Sequence, residues 1–257
     1  MLTFANFLSP AMTATYQAIA EYVGMRLGVK TRTVLGQSFG QFAAGTVDVG
    51  FMCGLPYIQL AAPSVRAVEL LAAPVFSAER YQNKPIYFSD VIARIDNPAN
   101  SFTDLRRKVW VYNETASHSG YNVVRAHLAN IGGTQGYFGR VLQSGAHRRS
   151  MQLVAAGLAD ASAIDSHVLT LESALQPEVA ERLKVIDTLG PSPVQPIVAA
   201  SRLPDALKFS IRAFLLEVNT QTVPAIAATG IKKLVPMRDA DYDPIREMYE
   251  KAKTVVW

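Results

Sequence analysis

Short apolar stretches alternate with helical periods through the first 76 residues, which limits the chain to a sheet covered by helices. Residues 2–7 alternate as a strand. Ser9-Pro10 offers an N-cap followed by proline in the first helical turn. Met12, Tyr16, Ile19, Ala20, Val23 and Leu27 then recur at helical spacing, and Gly28 closes the helix. Residues 29–35 form a second strand. Gly36-Gln37-Ser38 is a turn whose Ser38 caps a short helix over 39–44. The run from Gly45 to Phe51 turns into a buried strand, Pro56-Tyr57 opens another helix, and 67–76 is a fourth strand. The order β-α-β-α-β-α-β implies a parallel sheet.

Residues 86–93 form a long extended run, after which a second α/β set begins. Its strands fall at 108–112, 137–143, 160–165 and 183–187, and its helices at 118–130, 148–156 and 167–175. Gly190-Pro191-Ser192-Pro193-Val194-Gln195-Pro196 is the most proline-dense stretch. Proline fixes φ, so this is a stiff crossing rather than a loose linker. Helices over 204–219, near 222–228 and near 241–253 complete the chain. Two crossings make one lobe from both chain ends, and a cleft between two lobes is the natural place for a ligand.

The net charge is +4, and the basic residues are scattered apart from short runs such as Arg106-Arg107-Lys108, Arg148-Arg149 and Lys232-Lys233. No stripe of interleaved basic and aromatic residues occurs, so no nucleic acid partner is expected. The one cysteine, Cys53, cannot form an internal disulfide. No apolar run approaches the roughly 18–20 residues of a membrane span. No HExxH, CxxC, GxGxxG or GxxxxGK[ST] pattern occurs, so neither a metal nor a cofactor is expected.

The densest polar turn lies between the strand Val109-Trp110-Val111-Tyr112 and the following helix. Thr115, Ser117, His118 and Ser119 place four polar side chains in five positions at a helix start, where backbone N–H groups and the positive end of the helix dipole favour an anion. An N-cap accounts for one of them; the others leave capping and anion binding both open. His147 lies in a second such turn, Ser144 to Ser150. Asp165 ends a buried strand, where it either binds a hydroxyl or amine or caps the next helix. Ser9, Gln37, Ser38 and Tyr57 occupy strand-to-helix turns in the first half, and Tyr57 and Tyr87 are candidate aromatic walls. Ser117 or Ser119 with His147 and Asp165 would also compose a Ser-His-Asp set.

These stretches resemble the substrate-binding proteins of phosphate and phosphonate ABC transporters. Gly45-Thr46-Val47-Asp48-Val49-Gly50 with Pro56-Tyr57 is similar to that family's G-x-x-D-x-(G/A) strand and helix. Tyr87-Phe88-Ser89-Asp90-Val91-Ile92 looks like its first crossing strand, and Asn113 through Asn122 like its anion-binding turn. Ser144 to Ser150, Val154 to Asp160 and Ala163-Ile164-Asp165-Ser166 are similar to its GxHxxS…V…G…D…(A)ID pattern.

The resemblance implies an α/β, two-lobed type II periplasmic-binding-protein fold with mixed sheets flanked by helices and two inter-lobe crossing strands. Lobe 1 would take 1–90 and 196–257, and lobe 2 91–195. It implies a non-enzymatic monomer that closes on a small phosphorus oxyanion and serves an ABC permease. The ligand contacts would be Ser9, Gln37, Ser38, Tyr57, Tyr87, Thr115, Ser117, His118, Ser119, His147 and Asp165. The N-terminus has no basic region and no cleavage site. The compartment is therefore periplasmic if a signal was removed and cytoplasmic if Met1 is the native start. The alternative function is a cytoplasmic enzyme or sensor on the same fold, for example one resembling thiamine-pyrimidine-precursor proteins.

Overall fold

The computed structural model describes residues 1–257 as two compact units, Met1–Ile86 with Pro193–Asp243, and Tyr87–Ser192 with Pro244–Trp257. Strands and helices follow in the order β1 (Leu2–Asn6), α1 (Thr13–Leu27), β2 (Thr31–Leu35), α2 (Gly40–Ala43), β3 (Val49–Phe51), α3 (Gly54–Leu60), β4 (Val68–Phe76) and β5 (Ile86–Arg94). Next come β6 (Val109–Tyr112), α4 (Val123–Asn130), β7 (Arg140–Gln143), α5 (His147–Ala155), β8 (Ala161–Asp165), α6 (Ser166–Leu175), α7 (Pro177–Ala180) and β9 (Leu183–Pro193). The chain ends with β10 (Ile197–Ala200), α8 (Asp205–Leu216), β11 (Ile231–Val235) and α9 (Asp243–Ala252). No helix is long and apolar enough to cross a membrane.

The first unit holds a six-stranded sheet in the order β11-β4-β10-β3-β1-β2. β1 pairs in parallel with β2 and β3, as the alternation of the first 76 residues requires. The sheet is nevertheless mixed, because β10 inserts antiparallel between β3 and β4, and β11 adds antiparallel outside β4. β11 is a strand that the sequence reading lacks. Ile231 and Leu234 face the core while Lys232 is exposed, so a half-buried edge strand looked like a solvated charge run. The core side chains include Phe4, Ile19, Phe51, Val198 and Leu215, and α1 packs against β2 and α8.

The second unit holds a five-stranded sheet in the order β7-β6-β8-β5-β9. β6 is parallel to both β7 and β8, while β5 runs antiparallel to β8. Trp110 stacks on Phe138 with ring centroids 4.8 Å apart, in a core that also takes in Phe102, Val124 and Leu128. Residues 137–138 serve that core, and the strand expected over 137–143 begins only at Arg140.

The unit boundaries differ from the expected ones at the C-terminus. The final segment, Pro244–Trp257, belongs to the second unit, so the chain passes between units three times rather than twice. Aromatic packing explains this. Trp257 meets Tyr121 and Tyr112 edge-on at 4.9 and 5.3 Å, Val255 is 1% exposed, and Arg125 Nη2 donates to the Val255 carbonyl at 2.6 Å.

Candidate functional site

In the parallel part of the second sheet, β7, β6 and β8 lie side by side and run the same way, so their carboxyl ends share one edge. Each strand then turns directly into a helix. Two of these turns are stitched together by backbone bonds, from Ser144 N to Tyr112 O and from Gly145 N to Asn113 O, both 2.8 Å. The stitching brings the polar turn after β6 against the start of α5.

The turn after β6 opens with one π-helical turn, His118–Asn122, before α4. Such widened turns recur at functional sites. Ser117 is its N-cap, and Ser117 Oγ accepts from Gly120 N at 3.0 Å. Ser119 Oγ lies 3.2 Å from His147 Nε2. Ser119 is 2% exposed, and Thr115 is exposed in the loop before it. Gly120 is required where it stands. A Cβ there would strike Asn113 Oδ1 and come within 3.2 Å of His147 Cε1.

His118 and His147 have different surroundings. His118 is wholly buried. The Asn122 amide nitrogen donates to its Nδ1 at 3.1 Å, which leaves the proton on Nε2, 3.0 Å from Ser192 Oγ. Burial lowers its pKa to about 3, so the ring is neutral. His147 is the first residue of α5, whose N-cap, Ala146, supplies no side-chain hydrogen bond. Its Nδ1 is buried without a hydrogen-bond partner, and burial lowers its pKa to about 4.

Asp165 ends β8 and caps α6. Its Oδ1 accepts from His167 N at 2.9 Å and Val168 N at 3.1 Å. Tyr87, 1% exposed, has its ring centroid 6.4 Å from that of His118. Ser119 and His147 are thus in direct contact, and His118 sits in the same turn with both nitrogens engaged. Asn113 and Gly120, which shape the pair, were not singled out in the sequence. An asparagine just after a strand and a glycine inside a helix start gave no hint of their mutual contact.

In the first unit the expected residues hold their own turns. Ser9 Oγ accepts from Ala11 N at 3.2 Å. Gln41 Oε1 accepts from Gln37 N and Ser38 N, and Ser38 Oγ from Gly40 N. Tyr57 is 1% exposed and donates to Asp239 Oδ1 at 2.6 Å. No group of three or more His, Cys, Asp or Glu side chains is arranged to hold a metal ion.

The family model of the phosphonate ABC-transporter periplasmic substrate-binding protein matches residues 2–242. A binding-protein component of an ABC phosphonate transporter from Pseudomonas aeruginosa is 20% identical, with a TM-score of 0.84 over 98% of this chain and 87% of that one. PhnD1 from Prochlorococcus marinus, solved with methylphosphonate, is 15% identical, with a TM-score of 0.84 over 99% and 98% of the two chains. XAC2383 from Xanthomonas citri, solved with ATP, is 16% identical, with a TM-score of 0.76 over 98% and 96%. The fold is that of type II periplasmic binding proteins, with mixed sheets flanked by helices. With its family model spanning nearly the whole chain, this protein belongs to the periplasmic substrate-binding proteins of phosphonate ABC transporters.

Proposed function

We propose that this chain binds a small phosphorus oxyanion, a phosphonate or a phosphate-like group, and delivers it to an ABC permease. The observation that carries the ligand assignment is the Ser119–His147 contact. Two separate turns bring a hydroxyl and an imidazole to 3.2 Å at a helix start that no side chain caps. Ser117, Ser119 and His147 hold the ligand's oxygens, and Thr115 lies at the exposed approach. His118 acts behind them as a positioning residue, because its ring fastens the turn to Asn122 and Ser192. Asp165 and Tyr87 support the same edge of the sheet.

The chain binds and does not transform its ligand. In support, Asp165 directs Oδ1 to two backbone N–H groups of α6, and no hydrogen bond orients His147 through Nδ1. A Ser-His-Asp relay needs that third contact. The protein works as a monomer without nucleic acid, in keeping with its scattered basic residues. Isothermal titration against phosphate, phosphite, methylphosphonate and 2-aminoethylphosphonate tests the reading. Saturable heat with at least one of them is expected, and no heat with any overturns it.

A further inference from the structure

The Ser119–His147 pair has a proton inventory that constrains what it can hold. A neutral imidazole has one N–H and one bare nitrogen, and a hydroxyl has one O–H and two lone pairs. With the proton on Nε2, that N–H donates to Ser119. The Ser119 O–H is then left to donate outward, and Nδ1 is left to accept. With the proton on Nδ1, Nε2 accepts from Ser119. Nδ1–H then donates outward, and a lone pair of Ser119 Oγ is left to accept. In both tautomers the pair offers one outward donor and, with the remaining Ser119 Oγ lone pair counted, more acceptor positions than donors.

Two more features favour a ligand that carries a proton. Asn113 Oδ1 is another buried acceptor without a donor, and it lies against Gly120 beside His147. Besides the Arg148 and Arg149 side chains, which follow His147 on α5, the backbone supplies positive charge at the pair from two helix starts, each worth roughly half an elementary charge. The third start, at α6, already has the Asp165 carboxylate on it. That backbone sum matches one negative charge on a ligand rather than two.

Resting on the reading of this turn as a phosphorus-oxyanion site, we propose that it selects the singly protonated monoanion and discriminates against the dianion. One ligand P–O–H donates to an outward acceptor of the pair, and one P–O⁻ accepts from its outward donor. A dianion would set an oxygen lone pair against an acceptor lone pair.

The titratable groups on the surrounding elements include Glu114, His118 and Tyr121 on the same turn, Arg125 and His127 on α4, Tyr112 on β6, Arg148 and Arg149 on α5, Asp165, His167 and Glu172 on β8 and α6, and Glu178 on α7. Arg148 pairs with Glu172 at 2.7 Å. Burial holds the His118 and His147 rings neutral, raises Glu114 above its ordinary value and raises the Tyr112 phenol.

The experiment is calorimetric titration of the full chain with methylphosphonate and with fluoromethylphosphonate between about pH 6 and 9. Fluorine withdraws electrons and lowers the ligand's second pKa with little change of shape. Affinity should be level below the ligand's second pKa and fall about tenfold per pH unit above it. The break should come at lower pH for the fluorinated ligand. A break at the same pH for both ligands would mean that a protein group titrates, and the inference would be wrong. Level affinity for both across the range would also overturn it. Absence of binding by either ligand at any pH would remove the parent reading together with the inference.

Discussion

The starts of α5 and α6 follow the two strands that flank β6, yet their N-termini are finished in opposite ways. At α6, Asp165 donates nothing and accepts two backbone N–H bonds, so the helix is capped by its own chain. At α5, the N-cap is Ala146, which has no acceptor, and the next residue is His147 with a buried, unpartnered Nδ1. A helix start left open beside a polar pair is costly unless something else satisfies it. The difference separates a carboxylate that caps its own helix from the imidazole that we propose holds the ligand.

The largest expected effect comes from acid, and it tests the rings of the β6–α5 region. His118 has a folded pKa of about 3, below the ordinary 6.5, because burial disfavours its charged form. Its stabilising contribution is complete above pH 6.5 and is lost as pH falls toward 3. The loss amounts to roughly 1.4 kcal/mol per pH unit. His147 acts in the same direction to a smaller extent, being partly open to solvent. Urea unfolding from neutral pH down to about pH 4.5 should show this decline. His118→Gln should flatten it, and an unchanged slope would mean that His118 is not buried neutral.

Gly120→Ala comes next. The added methyl would meet Asn113 Oδ1 and His147, so it should cost about 1–3 kcal/mol and weaken ligand binding at the same time. A variant as stable and as tight as wild type would break the proposed contact between the two turns.

His147→Ala and Asp165→Ala sharpen the comparison most. Losing His147 should weaken phosphonate binding at least tenfold, about 1.4 kcal/mol or more, because it removes a hydrogen bond to a charged group. Its thermal midpoint should hardly move. Asp165→Ala should lower stability by about 0.5–2 kcal/mol through the lost cap, with a smaller effect on affinity. Thermal unfolding and calorimetry on both variants check this. The reverse pattern would exchange the two roles.

Much of this was legible in the sequence. Helical and strand periods gave the order of elements, and the crowding of Ser117, His118 and Ser119 marked the turn. What could not be read depended on partners distant in the chain. His118 and His147 each stood at a strand-to-helix turn as a candidate ligand contact, and only the partner Ser192, 74 residues from His118, separates their surroundings. Asp165 was open between cap and ligand contact because both roles want a carboxylate at a strand end. β11 was hidden because an edge strand with Lys232 outward has too little apolar alternation to stand out. The C-terminal segment packs on the second unit through Trp257, Val255 and the Arg125 hydrogen bond, contacts with partners distant in the chain that periodicity does not show.

The central claim is that Ser119 and His147 hold the ligand while His118 holds the turn. Nitrogen-15 NMR of the imidazole rings during titration with methylphosphonate tests it directly. A large shift at the His147 ring nitrogens, with those of His118 nearly still, is the result expected. Ligand saturation that leaves His147 unmoved, or moves His118 instead, would contradict it.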